Sequence, residues 1–239
     1  MQTNENSYYD GVYVIIPAYN AAGTIADVIS EIKQKYAWAK IIVVDDGSTD
    51  ETENIVKSFA IKLINNTKNE GVGSALKRGI RYALEQGAEY FVTIGADGQR
   101  DVEDIPELIE KLKHDKCSLV VGSKMLLAGQ KMPLARKLGV RLFTFIVNRL
   151  FKASFTDVLS GFRAFDRNAA NLAGDLSDSY AFDVDFYIKI IKQGFAYKEI
   201  PVKVYYEGNE SKMNNIFFVG LSILFLIIRR RLTPNYCYG

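Results

Sequence analysis

Cysteine and histidine are scarce in this chain of 239 residues. There are two cysteines, Cys117 and Cys237, and one histidine, His114, inside the charged run "KLKHDK". Without a C-x-x-C spacing or a histidine pair, zinc sites and disulfide frameworks have almost nothing to build with, and a reducing compartment is expected. The N-terminal "MQTNENSYYDG" lacks a basic stretch followed by an apolar one, so no signal peptide is expected. Internal repeats and low-complexity linkers are missing as well, which favours a single domain. Net charge is only +2; by itself it argues for no partner, and no nucleic-acid partner is expected.

What is present is a globular composition, 48% hydrophobic and 24% charged. Short β-branched runs at 12–17, 40–46, 61–65, 89–95 and 118–122 read as buried strands. Helical spacing fills 24–35, 50–59, 74–86 and 102–113. Thr24 with Asp27, and Ser48 with Glu51, fit capping boxes at two helix starts. Strand then helix, repeated, predicts an α/β fold with a mostly parallel central sheet and helices on both faces. In such sheets ligands bind at the carboxyl ends of the strands. The polar stretches 17–20, 45–48, 69–71 and 97–99 are therefore expected around one crevice.

Each stretch also has a plainer reading. "DDGSTDET" is the composition of any turn and helix cap. "NEGVGSALKRG" opens a helix with G-x-G, but Leu76 stands where a dinucleotide site has its third glycine, so a dehydrogenase fits poorly. "GADGQ" is an ordinary polar loop, or else Asp97 and Gln99 are hard oxygen ligands for Mg2+ or Mn2+ carrying a diphosphate.

In this order, "VIIPAYNAAGTI", "IIVVDDGSTDET", "NEGVGSALKRGI", "GADGQRDVEDIP", "VVGSK", "DVLSGFRAF" and "EIPVKVYYEGNESKMN" resemble the GT-A glycosyltransferases of family 2. Within it, the similarity is to the polyprenyl-phosphate (dolichyl-phosphate) hexosyltransferases. The resemblance covers roughly residues 11–214 and implies a GT-A nucleotide-sugar-binding fold. It implies that Pro17, Tyr19, Asn20 and Asp46 surround the nucleotide, with Asn69, Gly71 and Lys77 on the adjoining loop and helix. Asp97 and Gln99 would take the metal, and Asp97 the donor as well. The family usually has Asp where this chain has Gly95. Weaker metal binding, compensation by Asp45 or Asp46, or donor binding without turnover could follow.

For the acceptor, the resemblance implies a phosphate met by Lys124, Arg136, Ser160, Arg163 and Lys212. Arginine binds phosphate oxygens bidentately and lysine as a point charge. A phosphate monoester needs no general base, whereas a saccharide hydroxyl would require one, and Asp183 or Asp185 stands where relatives carry it. Two apart on a helix, those carboxylates do not share a face. Catalytic roles are thus expected of Asp97, Arg163 and one of Asp183 and Asp185.

Residues 131–152 hold six Lys or Arg and no acid, interleaved with Leu, Val, Phe and Ile as in an interfacial helix. Thirteen uncharged residues at 216–228 precede Arg229, Arg230 and Arg231. As a helix they span about 20 Å against a hydrocarbon core of roughly 30 Å, so they are expected to lie in the interface rather than cross it. The expected organisation is a polar tail at 1–10, a transferase domain at 11–214 and a membrane-interfacial helix with a basic tail at 215–239. The expected place is peripheral, on the cytoplasmic face of a membrane. The expected partners are a nucleotide sugar and a polyprenyl or dolichyl phosphate.

Overall fold

The structure, a computed structural model, describes residues 7–129, 132–205 and 216–233. In chain order the elements are β1 (Val12–Ala18), α1 (Ile25–Lys35), β2 (Lys40–Asp45), α2 (Thr52–Lys57), β3 (Lys62–Asn65) and α3 (Val72–Glu85). Then come β4 (Tyr90–Thr93), α4 (Asp104–His114), β5 (Leu119–Ser123) and α5 (Leu134–Phe151). The last are β6 (Arg163–Asp166), α6 (Arg167–Ala170) with a 3-10 turn (Asn171–Asp175), α7 (Phe182–Lys192), β7 (Tyr197–Pro201) and α8 (Ile216–Leu232).

The seven strands form one sheet in the order β3-β2-β1-β4-β6-β5-β7. β6 pairs antiparallel with both β4 and β5, while the other neighbouring pairs are parallel. β1, β2, β4 and β5 are buried on both faces, which is why they read as continuous apolar runs, whereas the edge strands β3 and β7 are largely half-buried or exposed. Along β1, Tyr13 and Ile15 join one core with Leu76, Phe91, Phe165, Phe186 and Ile227, whereas Val12, Val14 and Ile16 join the other with Ile29, Ile105 and Leu108. The two cores are the two faces of one sheet.

The reversed strand matters most for function. Arg163 begins β6 and stands opposite Thr93, the last residue of β4, and Val121 in β5. Reversal brings the start of β6 to the edge where its neighbours end. The polar segment before Arg163 therefore meets the crevice at the carboxyl ends of β1, β2, β4 and β5. Neither β6 nor β7 was expected from sequence; four residues with charged ends, "RAFD", carry little strand signal.

Both expected capping boxes fail. Thr24 stands at the N-cap of α1, but its hydroxyl makes no cap bond and donates to the Ala96 carbonyl (2.6 Å). Ser48 lies outside α2, which starts at Thr52, and its hydroxyl serves Asp45 and Asn20 instead. At the two ends of the chain, Tyr9 is buried, stacked on Trp38 and bonded to Glu110 (2.6 Å), and α8 contributes Ile223 and Ile227 to the core. Packing thus reaches into both segments that the sequence suggested were appendages.

Candidate active site

The crevice is built from loops that hold one another. After β2, Asp45 accepts bonds from the amide and hydroxyl of Ser48, and that hydroxyl accepts from the Asn20 amide (2.9 Å). Asn20, at φ 50°, accepts through its side-chain oxygen from the Thr49 amide (2.8 Å). Asp46 is buried and accepts from the Asn66 side chain (2.7 Å) and the amides of Glu70 (3.0 Å) and Gly71 (2.8 Å). These bonds fix the loop 66–71 beneath the rim where Tyr19 and Asn69 are exposed and Pro17 is half-buried. Both oxygens of Asp46 are spent on that loop, and one oxygen of Asp45 on Ser48. A metal role for Asp46 would compete with these bonds, whereas Ser48 engages only Oδ1 of Asp45.

At the start of α3, Gly71 has φ 101°, and a Cβ there would lie 2.4 Å from the Asp178 carbonyl oxygen. A Cβ on Gly73 would lie 2.1 Å from the Ser177 carbonyl oxygen. Glycine is needed here so that the strap 175–181 can pass against the helix. The Asp178 carbonyl accepts from the Ser74 amide (3.1 Å), so protein backbone satisfies one of the helix's unpaired donors. Lys77 is likewise engaged, with the Leu176 carbonyl (3.0 Å) and Asp178 (2.5 Å).

After β4, Asp97 is exposed and Gln99 buried, and Asp97 Oδ1 accepts from the Gln99 amide (3.1 Å). Asp97 folds back over Gly95, its Oδ1 standing 3.2 Å from where a Cβ at that position would be. The Gln99 carbonyl accepts from the Tyr205 amide (2.9 Å), and Arg100 bridges to Val204, so the chain leaving β7 braces this loop. Among the described residues no group of three His, Cys, Asp or Glu could hold a metal. One carboxylate and one carboxamide are hard donors, too few for a closed cage but suited to a cation that a diphosphate also ligates. The donor set fits Mg2+ or Mn2+ on that condition.

Arg163 is wholly buried. Its Nη1 lies 2.7 Å from Asp183 and donates to the Tyr187 hydroxyl (3.3 Å), which itself donates to the Ser160 carbonyl. Phe182, Phe186 and Tyr187 surround the guanidinium with ring centroids 5.1–5.4 Å away. Burial, ahead of every other cause, pushes the Tyr187 phenol up, so it stays a donor. Arg163 Nε and Nη2 find no hydrogen-bond partner. The Ser160 hydroxyl, also buried, donates to the Gly122 carbonyl (2.6 Å). Both side chains, expected to meet an acceptor phosphate, are buried. A buried guanidinium is costly unless paired, and Asp183 is the group that pairs it.

Lys124, just past β5, is buried against Asp157 (2.5 Å). Burial pushes its pKa down, Asp157 opposes that, and the charges of Arg100 and Arg136 add to the lowering. Beside it opens a cavity of about 230 Å³ whose wall includes Lys124, Met125, Met132, Lys137 and Arg141 and, among the described residues, no carboxylate. Lys137, Arg141, Asp157 and Tyr187 were not singled out from sequence; the first two were legible only as part of the basic run. Asp185 does not join the crevice, for its buried carboxylate is bound by Arg230. Lys212 lies outside the described residues. A larger groove, about 530 Å³, opens at the opposite ends of β1–β3 among Tyr13, Lys40, Lys62 and Tyr82. It contains none of the loops above, and size alone does not mark the site.

The family model for glycosyl transferase family 2 matches residues 13–172. An uncharacterized protein of Methanocaldococcus jannaschii is 33% identical over 228 residues, covering 93% of each chain. The UDP-N-acetylglucosamine–dolichyl-phosphate N-acetylglucosaminyltransferase of Methanococcus voltae is 30% identical, over 91% of this chain and 94% of that one. The undecaprenyl-phosphate mannosyltransferase of Micrococcus luteus is 28% identical, over 85% and 87%. In structure, glucosyl-3-phosphoglycerate synthase of Mycobacterium tuberculosis in complex with UDP superposes with a TM-score of 0.75 at 18% identity, covering 97% of this chain and 84% of that one. The shared architecture is the GT-A fold.

Proposed function

The chain belongs to glycosyl transferase family 2, and from that premise we propose that this glycosyltransferase moves a hexose from a nucleoside diphosphate sugar to the phosphate of a polyprenyl lipid, with inversion. The observation that carries the acceptor is the cavity next to β5, walled by Lys124, Lys137 and Arg141 and, among the described residues, by no carboxylate. Lys124 is tied to Asp157, so among the described lining residues Lys137 and Arg141 are the solvent-facing cations. Relatives named as dolichyl-phosphate and undecaprenyl-phosphate transferases support the same acceptor class.

A phosphate monoester, with a second pKa of about 6, is mostly a dianion at neutral pH. One of its oxygens attacks the anomeric carbon, the bond from that carbon to the diphosphate oxygen breaks, and the electron pair departs with the nucleoside diphosphate. No proton has to be removed. The protein's task is to bring two anionic groups together, which is positioning and electrostatic stabilisation. Asp97 and Gln99 would hold a divalent cation whose charge offsets that of the donor diphosphate; solved structures of the synthase carry Mn2+ or Mg2+ with UDP. Lys137 and Arg141 orient the acceptor phosphate. Arg163, fixed by Asp183 and Tyr187, acts through its field beneath the crevice.

A lipid acceptor also accounts for the surface beside this cavity. No described helix is long and apolar enough to cross a membrane. Yet α5 exposes Leu134 (71%), Leu138, Leu142 and Phe145 (68%), and α8 exposes Phe218 (66%), Leu221, Phe225 (70%) and Ile228. The two helices meet where Gly220 faces Phe143. Exposed Arg141, Arg149, Arg229 and Arg231 accompany these stripes. Apolar side chains with flanking cations suit peripheral contact with an anionic lipid surface.

The test is a panel of nucleotide sugars offered with polyprenyl phosphate or with free saccharides. Lys137→Ala combined with Arg141→Ala is expected to raise the KM for polyprenyl phosphate about tenfold or more, two charge-assisted contacts being lost, with nucleotide affinity retained. Transfer to saccharides and none to polyprenyl phosphate would refute the reading.

A further inference from the structure

The strap 175–181 touches two parts of the molecule that are far apart in sequence. On one side it lies against the amino end of α3, through the Ser74 amide, Lys77 and the close approach at Gly71 and Gly73. The strap's close approach at Gly71 sets it beside Asp46, whose carboxylate accepts from the Gly71 amide (2.8 Å), and so at the nucleotide side of the proposed site. On the other side it is held by α8. Arg230 donates from Nε to Asp185 Oδ1 (2.6 Å) and from Nη2 to Asp185 Oδ2 (2.9 Å) and the Asp175 carbonyl (3.0 Å). Asp185 Oδ2 in turn accepts from the Ser177 amide (2.9 Å). One guanidinium thus fastens both the start of the strap and the carboxylate that holds its third residue.

We propose that Arg230 is a positioning residue for the donor side of the site: by clamping Asp175 and Asp185 it seats the strap on α3 and so shapes the place where the nucleotide binds. This rests on the transferase reading above. Bidentate geometry on a carboxylate is directional, so the clamp specifies a strap position rather than merely adding charge. Arg229 and Arg231, its neighbours in sequence, are exposed and have no such engagement with Asp185 in the structure. The choice of Arg230 therefore comes from helix phase and not from the basic run as a whole.

The test uses the full chain and two readings, hydrogen exchange of strap amides without ligand and calorimetric binding of UDP and GDP with Mg2+. Arg230→Ala would strand a buried carboxylate and endanger folding, so the main variant is Arg230→Met with Asp185→Asn, which leaves no charge behind. Its strap amides are expected to exchange about tenfold faster and its nucleotide Kd to rise about tenfold, as for the loss of charged hydrogen bonds, while the KM for polyprenyl phosphate stays within about twofold. Arg230→Lys, with one point donor, is expected to recover part of both effects, and Arg229→Ala to leave both as in the wild type. Unchanged strap exchange, or faster exchange with unchanged nucleotide affinity, would overturn the clamp. So would equal losses on the donor and acceptor sides together with a lowered Tm, the mark of general loosening. A wild-type chain that binds neither nucleotide would instead overturn the transferase reading, and this proposal with it.

Discussion

Gly95→Asp is the substitution on which the proposed donor site turns. Gly95 is not in the left-handed region, so a side chain there costs no backbone strain. Its Cβ would come 3.2 Å from Asp97 Oδ1, and because Asp97 is exposed, that carboxylate can swing away. A new carboxylate about 4 Å from a divalent cation at an exposed site gains roughly 2 kcal/mol at the dielectric of water, twice the value for two unit charges. That corresponds to an affinity about thirtyfold tighter. Without the cation, two carboxylates at a similar distance repel by about 1 kcal/mol, so the variant should be less stable in chelator and more stable in excess metal. Mn2+ titration calorimetry in the presence of UDP or GDP measures the first effect, and thermal unfolding with and without chelator the second. Metal affinity and metal-linked stability both unchanged would refute the placement of the cation at Asp97 and Gln99.

Two further outcomes are expected. Asp104 is half-buried with one oxygen lacking a partner, and burial, followed by the charge of Asp101, raises its carboxyl to about 6. Since the folded state then holds a proton that the unfolded state releases, this group's contribution falls as pH rises from about 4 to about 6. Asp104→Asn should raise Tm at pH 7.5, by the equivalent of about 1 kcal/mol once solvent screening is allowed for, and leave it unchanged at pH 4; equal shifts at both pH values would contradict the assignment. At the exposed apolar stripes of α5 and α8, Phe145→Glu with Phe225→Glu should lower partitioning onto anionic vesicles about a hundredfold, from two apolar side chains worth about 1.5 kcal/mol each. Cosedimentation reads the loss, and unaltered binding by a folded double variant would show that this face does not meet lipid.

The first five strands and the crevice were readable in sequence because both depend on short-range signals. The runs from Val12, Lys40 and Tyr90 announce themselves by β-branched composition, and their carboxyl ends can be read without knowing the strand order. The single carboxylate of "GADGQ" was equally plain. Hydrogen-bond assignments of polar side chains were not: Thr24 and Ser48 had the spacing of caps, yet each hydroxyl was taken by a partner from another loop. A hydroxyl's choice depends on which acceptor tertiary packing brings within 3 Å, and spacing along the chain does not carry that.

The same limit explains the second half. Sequence alone determined that Arg163, Lys124, Asp183, Asp185 and an apolar C-terminal helix followed by arginines exist, and the family they fit. The fold decided that β6 runs backwards, which buries Arg163 on Asp183 and Tyr187. It also ties Lys124 to Asp157, 33 residues away, and turns Asp185 to Arg230, 45 residues away. A charge left in low dielectric is costly without an opposite charge at contact distance, so each buried ion needs a partner. Which partner is available follows from how the helices and the sheet pack, and that information resides in three dimensions.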